Sequence, residues 1–197
     1  MTFKLGLTGS IGMGKSTPAQ KIADAGCVVW DADAAVHRLY AKGGVGVAPM
    51  QAAFPLSIVD GAVSRDALKS LISADPTALP RLEAIVHPLV AQDRAAFFAQ
   101  VQADIAVFDI PLLYETGGES GMDAVAVVYT SDQEQENRVM ARGTMSAEHF
   151  RTIRAKQMPA SEKRARADYT IHTDTLEHAR AQVHHIIEQI KGGQAHA

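Results

Sequence analysis

The sequence predicts an α/β fold in which a sheet of five strands is covered by helices. A short apolar run at residues 3–8 leads through a glycine-rich turn into a helix-compatible run that stops at Gly26. Four more short apolar runs follow along the chain, at residues 27–30, 105–109, 124–129 and 169–172. Helix-compatible stretches separate these runs, and strands that alternate with helices indicate an α/β architecture.

The turn after the first strand has the spacing of a phosphate-binding loop, G-x-x-x-x-G-K-S. Its glycines allow successive backbone N–H groups to point inward and surround an anion, and the following helix adds its positive N-terminus. The lysine can reach the β- and γ-phosphates of a nucleotide, and the serine hydroxyl is a suitable Mg²⁺ ligand. The predicted ATP-binding residues are Gly9, Ser10, Ile11, Gly12, Met13, Gly14, Lys15, Ser16 and Thr17. This context predicts a P-loop NTPase-type three-layer fold.

Composition narrows the class of protein further. The chain has 197 residues, a formal net charge of −3 and 47% hydrophobic residues, so one globular chain without a general affinity for nucleic acid is expected. Its single cysteine, Cys27, permits no internal disulfide and suits a buried position in a cytoplasmic protein. No apolar run has the length of a transmembrane helix. We expect a cytoplasmic monomer with no membrane or nucleic-acid partner.

Acidic side chains stand at the ends of two predicted strands. Asp31 and Asp33 follow the second strand, where open α/β sheets bind their ligands. One of them could accept a proton from a substrate hydroxyl, and the other could cap a helix over residues 34–41. Asp109 ends the third strand and is expected to hold Mg²⁺ through a water molecule, together with Ser16.

The segment between the second and third strands, about residues 43–103, is predicted to be a helical insertion that holds the acceptor substrate. Ser64 is expected to cap one helix, over residues 65–73. The Asp75-Pro76 pair begins a second helix that should end near His87, and Pro88 begins a third. At such a junction His87 could be structural or could contact substrate.

Basic residues dominate from position 138 to position 166. Arg138 and Arg142 lie one turn apart on a predicted helix that Ser131 opens. In an acidic chain with a phosphate loop, this pattern predicts a helical lid, about residues 139–167, whose guanidinium groups neutralise a transferring phosphoryl group. The alternative is a solvated helix face.

The last predicted helix carries an apolar stripe at helical spacing. Asp174 is its expected N-terminal cap, and residues 192–197 should fray. The stripe consists of Ala179, Val183, Ile186, Ile187 and Ile190. His184 and His185 are expected on the surface.

Over nearly its full length the chain resembles the bacterial dephospho-CoA kinases. The matching segments are Gly6–Thr17, Asp31-Ala32-Asp33, His87-Pro88, Asp109-Ile110-Pro111-Leu112-Leu113-Tyr114-Glu115, Arg138 with Arg142, and Gln157 with Lys163 and Ala167-Asp168. The phosphate loop alone indicates only a P-loop kinase, whereas the segment from Asp109 to Glu115 is far more specific. Three positions depart from the usual family pattern, because Ser10 replaces a frequent glycine, Thr173 replaces a frequent asparagine and Pro18 replaces a more usual helix former.

The resemblance implies a five-stranded parallel sheet, a helical CoA-side domain and a lid. It implies transfer of the γ-phosphoryl group of ATP to the 3′-hydroxyl of dephospho-CoA, with Mg²⁺ as cofactor. In this interpretation Asp33, Lys15, Arg142 and Arg138 are catalytic. The implied substrate-binding residues are Thr8, Asp31, Asp33, His87, Leu112 and Leu113. Residues 1–42 and 104–197 form the nucleotide-binding core.

Two other functions fit the phosphate loop. One is a kinase of the same fold that acts on another nucleotide or a small alcohol. The other is a regulatory nucleotide-binding switch, but guanine recognition of that type needs an Asn-Lys-x-Asp sequence. The only asparagine is Asn137, which Arg138 follows, so the sequence excludes that motif.

Overall fold

The structure is a computed structural model that describes residues 1–194. These residues form two compact units, and each has its own hydrophobic core. The first unit comprises residues 1–30 and the chain from residue 101 onward, and the second comprises residues 31–100.

A five-stranded parallel sheet is the centre of the first unit, as the sequence predicts. The strand order is β2-β5-β1-β6-β7. The strands are β1 (Phe3–Thr8), β2 (Val28–Asp31), β5 (Ile105–Asp109), β6 (Ala124–Tyr129) and β7 (Tyr169–His172). Four of them have the predicted limits, and β2 is shifted by one residue. Because β1 is central and its neighbours come from later in the chain, its carboxyl end is the switch point where such sheets bind ligands.

The sheet is buried on both faces, which establishes three layers. Along β6, Ala124, Ala126 and Val128 belong to one apolar cluster, whereas Val125 and Val127 belong to another. This alternation follows from the two-residue period of a strand. The first cluster includes the whole predicted stripe of the last helix, and Cys27 is buried in it. Burial raises the pKa of the Cys27 thiol, which suits a packing residue rather than a reactive one.

Of the two helix caps predicted in the first unit, Ser131 is confirmed and Asp174 is not, and Ser146 is a cap that was not predicted. The Ser131 and Ser146 hydroxyls accept hydrogen bonds from the N–H groups of residues three positions later. At the last helix the expected cap Asp174 is wrong, because the Thr175 hydroxyl accepts the His178 N–H at 3.1 Å. The helices are α1 (Ser16–Asp24), α6 (Asp132–Ala141), α7 (Ala147–Lys156), α8 (Ala160–Arg166) and α9 (Leu176–Gln194).

The second unit is mostly helical. Its elements are α2 (Ala32–Tyr40), α3 (Val47–Ala53), β3 (Ile58–Val59), β4 (Ala62–Val63), α4 (Arg65–Ala74) and α5 (Ala78–Ala99). The two short strands form a hairpin whose turn residues Asp60 and Gly61 have φ values of 51° and 81°. Such a turn needs positive φ at both positions, which glycine and aspartate tolerate best.

The predicted helix break at His87 is wrong. Pro88 lies inside the continuous 22-residue helix α5. A proline within a helix removes one backbone hydrogen bond and costs about 3 kcal/mol. Here Leu82, Ile85 and Val86 before the proline, and Leu89 and Val90 after it, all pack in one apolar cluster. Burial on both sides of Pro88 therefore keeps the helix continuous.

The last helix continues through the glycines that were expected to fray. Gly192 and Gly193 are helical, so the predicted fraying is wrong there, and residues 195–197 lie outside the described residues. Within the described part of the chain, no helix is both long and apolar enough to cross a membrane.

Candidate active site

The phosphate loop joins β1 to α1 at the carboxyl end of the central strand. Gly12 and Gly14 have φ values of 77° and 81°, in the left-handed region that favours glycine. A Cβ atom on Gly12 would lie 2.6 Å from the Val139 side chain, and one on Gly14 would lie 2.7 Å from Arg138 Nη1. Both positions therefore favour glycine for conformation, and Gly12 also favours it for space because the Gln135 carbonyl oxygen would lie 3.0 Å from the same Cβ atom.

Lys15 lies against Asp109 at the mouth of the loop, where the two form an ion pair. The parallel register explains the contact, since Asp109 pairs with Leu7 and so lies level with the end of β1. Asp109 is 4% exposed, so its charge is removed from bulk water. Ser16, the first residue of α1, is exposed. The sequence predicts only that Asp109 lies opposite the phosphate loop and shares Mg²⁺ with Ser16, so the direct contact between Lys15 and Asp109 was not predicted.

Thr173 connects the phosphate loop to Arg138, a role that the sequence did not reveal. Its hydroxyl donates to the Met13 carbonyl oxygen at 2.7 Å and accepts from Arg138 Nη1 at 2.9 Å. Arg138 also donates to the Thr173 carbonyl oxygen and, at 2.7 Å, to Glu134. Arg138 therefore holds β7 and the phosphate loop together. Strand pairing creates this cluster, so no local pattern could have identified it.

A cavity of about 280 Å³ opens beside this cluster. Its walls include Ser16 and Thr17 from α1, Arg138 from α6, Arg142 directly after that helix, and the connection between β7 and α9. The cavity places the hydroxyl groups of α1 and two guanidinium groups around one space. Such a lining is suited to a phosphorylated ligand.

The basic segment is mostly neutralised by acidic or aromatic partners. Arg151, Arg154 and Arg166 form ion pairs with Glu136, Asp132 and Glu119, in that order. Arg164 lies over the Tyr129 ring at 4.0 Å from its centre. Among the described residues, Arg142 and Lys156 are the basic members of the segment whose side chains have no hydrogen bond, ion pair or aromatic partner. Arg142, which also lines the cavity, is the guanidinium group most available to a ligand.

The segment around α7 and α8 is connected to the outer side of the phosphate loop. The Ile11 N–H donates to Gln157 Oε1 at 3.1 Å, and Gln135 Nε2 donates to the Ile11 carbonyl oxygen at 2.6 Å. A second cavity, of about 830 Å³, lies between these helices and the loop. The Ser10 hydroxyl and Gln135 Oε1 face this region and are buried without a protein partner among the described residues.

A buried ion pair joins α8 to the segment after β5. Lys163 is fully buried and lies 2.8 Å from Glu115 Oε1, and its amino group also donates to the Pro111 carbonyl oxygen. Burial alone would raise the pKa of Glu115, but hydrogen bonds from Lys163 and from the Met158 N–H lower this pKa below its ordinary value. The sequence suggested a solvated or catalytic role for this part of the chain. The lysine instead anchors α8.

Two predicted substrate-binding side chains are not accessible. Leu113 is fully buried in the cluster that includes Val125 and Val127, and Thr8 is fully buried and donates to the Pro111 carbonyl oxygen. Because neither side chain has exposed surface, the structure does not support direct contact of Thr8 or Leu113 with substrate, and both contacts stay predictions. Leu112 is 42% exposed and stays a candidate.

In the second unit, the two aspartates have different environments. Asp31 Oδ1 accepts the Ala34 N–H at 2.7 Å and so caps α2. Asp33 lies in the first turn of α2 with an exposed side chain; its backbone oxygen accepts from Arg65, and its carboxylate has no partner in the part of the chain that the structure describes. His87 is exposed within α5 rather than at a helix junction. Asp31 is thus the helix cap, and Asp33 has the carboxylate that is available to a ligand.

A phosphate loop at the switch point of a parallel sheet, with a lysine held against an acidic strand end, defines the P-loop class of nucleotide-binding proteins. A family model described as dephospho-CoA kinase matches residues 3–178. The chain is 66% identical to the dephospho-CoA kinase of Ruegeria pomeroyi over 197 residues, with full coverage of both. The chain belongs to the dephospho-CoA kinase family and is a kinase.

Solved structures are consistent with this assignment. The fold is similar to that of a Thermus thermophilus protein of 32% identity, with a TM-score of 0.85 and coverage of 95% of this chain and 97% of the other. A dephospho-CoA kinase from Campylobacter jejuni, at 23% identity, matches with a TM-score of 0.72 over 98% of this chain and all of the other. At that identity the second likeness concerns the fold alone.

Proposed function

We propose that this kinase transfers the γ-phosphoryl group of ATP to the ribose 3′-hydroxyl of dephospho-CoA, the last step of CoA synthesis. The observation that carries the proposal is the phosphate loop with Lys15 held beside Asp109 at its mouth. In the reaction the 3′-oxygen bonds to the γ-phosphorus. The bond from that phosphorus to the bridging oxygen breaks, and ADP leaves. Positioning and charge neutralisation are the main demands of such a transfer.

The loop residues 9–17 bind the ATP phosphates, chiefly through backbone N–H groups and Lys15. Arg142 neutralises charge on the transferring group, since its guanidinium lines the cavity and has no protein partner among the described residues. Arg138 contributes mainly by fixing Thr173 and the loop, because its donors are already engaged there. Because Arg138 is hydrogen-bonded within the protein and Arg142 is not, we assign Arg142 to ligand binding and Arg138 to positioning.

Asp33 is the base that accepts the proton of the 3′-hydroxyl. Its exposed carboxylate at the start of α2 has no hydrogen bond within residues 1–194, whereas the carboxylate of Asp31 accepts the hydrogen bond that caps the helix. His87 and Leu112 are the other proposed contacts of the acceptor, since both side chains are exposed. Residues 43–103 form the CoA-side insertion and residues 139–167 form the lid in this proposal.

The cofactor is Mg²⁺. Ser16 and Asp109 offer a hydroxyl and a carboxylate, and oxygen ligands of this kind fit Mg²⁺. Asp109 would hold the ion through a water molecule. When bound, Mg²⁺ neutralises phosphate charge. We place the enzyme in the cytoplasm as a monomer, without a nucleic-acid or membrane partner.

An acceptor assay tests the proposed substrate. Purified protein with ATP and Mg²⁺ is offered dephospho-CoA, AMP, adenosine or shikimate, and ADP release is followed. We expect ADP release well above the no-acceptor rate with dephospho-CoA alone. Equal ADP release with and without dephospho-CoA would overturn the assignment, and faster release with another acceptor would indicate a different kinase of the same fold.

A further inference from the structure

A cluster of metal-ligating side chains lies at the end of β7, and none of its three members has a proposed role in phosphoryl transfer. His172 ends the strand, Asp174 follows in the connection, and His178 lies in the first turn of α9. One ligand atom from each of the three lies within 4.8 Å of the other two. Three elements of one unit thus contribute one potential ligand each. No other such group occurs among residues 1–194.

The distances within the cluster are close to those of a coordinated ion. His178 Nδ1 lies 2.8 and 3.0 Å from the two carboxylate oxygens of Asp174, and His172 Nδ1 lies 3.5 Å from Oδ2. Bonds of about 2.1 Å to a common metal place neighbouring ligand atoms about 3 to 3.5 Å apart. Both imidazoles therefore already face the carboxylate through a ring nitrogen that could bind a metal.

Contacts with the rest of the unit hold the ligands in place. The Gln182 side chain accepts the His172 N–H and donates to the His172 carbonyl oxygen, both at 3.0 Å. The His172 ring stacks on Tyr129 with its centre 4.7 Å from that of the tyrosine and an angle of 7° between the planes. The Thr175 N–H donates to Asp174 Oδ1 at 2.8 Å. Ligands that are fixed before binding lose little conformational freedom when the metal arrives.

The ligand set selects the class of metal. Two imidazole nitrogens and one carboxylate suit Zn²⁺, Ni²⁺, Co²⁺ or Cu²⁺, whereas Mg²⁺ prefers oxygen ligands alone. The three side chains are 32%, 40% and 49% exposed, so water can complete the coordination. We propose that His172, Asp174 and His178 form a binding site for one divalent transition-metal ion, distinct from the proposed magnesium site.

Binding at this site ties the end of β7 to the first turn of α9. That connection also forms one wall of the 280 Å³ cavity beside the phosphate loop, through Thr173, Asp174 and Thr175. The metal therefore immobilises part of the cavity wall. The binding itself does not depend on the proposed kinase reaction, so it can be measured without nucleotide.

Titration of the tag-free full chain with Co²⁺ or Ni²⁺ tests the site, with calorimetry and the visible absorbance of Co²⁺ as readouts. We expect one equivalent bound, together with a rise in the melting temperature, because a ligand that binds only the folded chain stabilises it. His178→Ala and His172→Ala should each weaken binding by at least about tenfold, as the loss of a metal-supporting contact does.

The matched controls are His184→Ala and His185→Ala, which remove exposed histidines from the same helix α9. Both should bind Co²⁺ as the unchanged protein does. Urea unfolding of each variant without metal verifies that it is folded. Binding that survives in His178→Ala, or that is lost in His184→Ala, would overturn the site. The acceptor assay contains only Mg²⁺, so its failure would not be confused with this result.

Discussion

Two arginines one helical turn apart have opposite environments. Arg138 donates to Thr173 and Glu134, whereas Arg142 lines the cavity and lacks a recorded partner among residues 1–194. Thr173, at a position where the family often has asparagine, is 7% exposed and links Arg138 to the Met13 carbonyl oxygen. At the scale of single residues, the hydrogen-bond partners of each arginine therefore indicate its role. Arg138 is engaged within the protein, whereas Arg142 is available to a ligand.

Substitution of the two arginines should separate these roles. Arg142→Met should lower kcat by about 10²-fold or more, because a charge that stabilises the transferring group is lost, with little change in stability. Arg138→Met should lower the free energy of unfolding by about 1 to 3 kcal/mol, because buried Thr173 loses its partner. Steady-state kinetics and urea unfolding measure both effects. Lys156→Met is the control, and an equal loss of kcat there would contradict a specific role of Arg142.

The two aspartates at the start of α2 offer a second contrast. Asp33→Asn should lower kcat by about 10²- to 10⁴-fold with little change in ATP affinity, because a general base is lost. Asp31→Asn is the matched variant, since asparagine also caps helices well, and we expect kcat within about threefold. Both are measured by initial rates and by ATP titration. If Asp33→Asn stayed within about threefold while Asp31→Asn lost activity, Asp31 would be the base.

At the scale of elements, buried contacts determine where a helix ends and how it is held in place. Helix α5 continues through Pro88 because apolar residues on both sides of the proline are packed in one cluster. Helix α8 is anchored by the fully buried Lys163, which pairs with Glu115. The continuity of α5 and the anchoring of α8 both depend on contacts between residues far apart in the sequence. Helix propensity alone therefore did not predict them.

The Glu115–Lys163 pair should make stability depend on pH in acid. The pKa of Glu115 is lowered in the folded chain, so its contribution is complete well above the ordinary value of 4.5 and is lost as pH falls through the lowered pKa. Glu115→Gln should therefore be less stable than the unchanged protein at pH 7, and the difference should shrink below about pH 4.5. Urea unfolding from pH 3 to pH 7 measures it. Glu148→Gln, exposed on α7, is the control. A difference that stays constant with pH would contradict the assignment.

At the scale of the whole molecule, the described residues form two units, one built on the parallel sheet and one on helices α2 to α5. The first unit includes the phosphate loop and the cavity beside it, and the second unit includes Asp33 and His87. In the proposed function these units bind different substrates.

Hydrogen exchange of the full chain should show this division. ATP with Mg²⁺ should slow exchange in residues 9–17 and in the connection 173–175, because these segments line the proposed nucleotide site. Dephospho-CoA should slow exchange within residues 31–100. Mass spectrometry of peptides measures both, with shikimate as the control ligand. Protection by dephospho-CoA confined to the first unit would contradict the proposed acceptor site.

Much of the fold could be predicted because its signals are local. The limits of four strands, the caps at Ser64 and Ser131 and the stripe of α9 follow from hydrophobic period and hydrogen-bonding residues a few positions apart. The break at Pro88 and the cap at Asp174 were wrong, since burial around α5 and the neighbouring Thr175 hydroxyl outweighed the local preference. Of the candidate site, the phosphate loop could be predicted because its motif consists of consecutive residues.

The sequence by itself determined the phosphate loop, the sheet and the kinase family, because these depend on glycine conformation, chain order and a run of specific residues. Only the tertiary structure decided which side chains are available. Thr8 and Leu113 are buried, and Arg138 is hydrogen-bonded to Thr173. Asp31 caps a helix, and Lys15 forms an ion pair with Asp109. The physical reason is that burial and pairing depend on contacts between distant segments, which strand register and packing create and which no local pattern records.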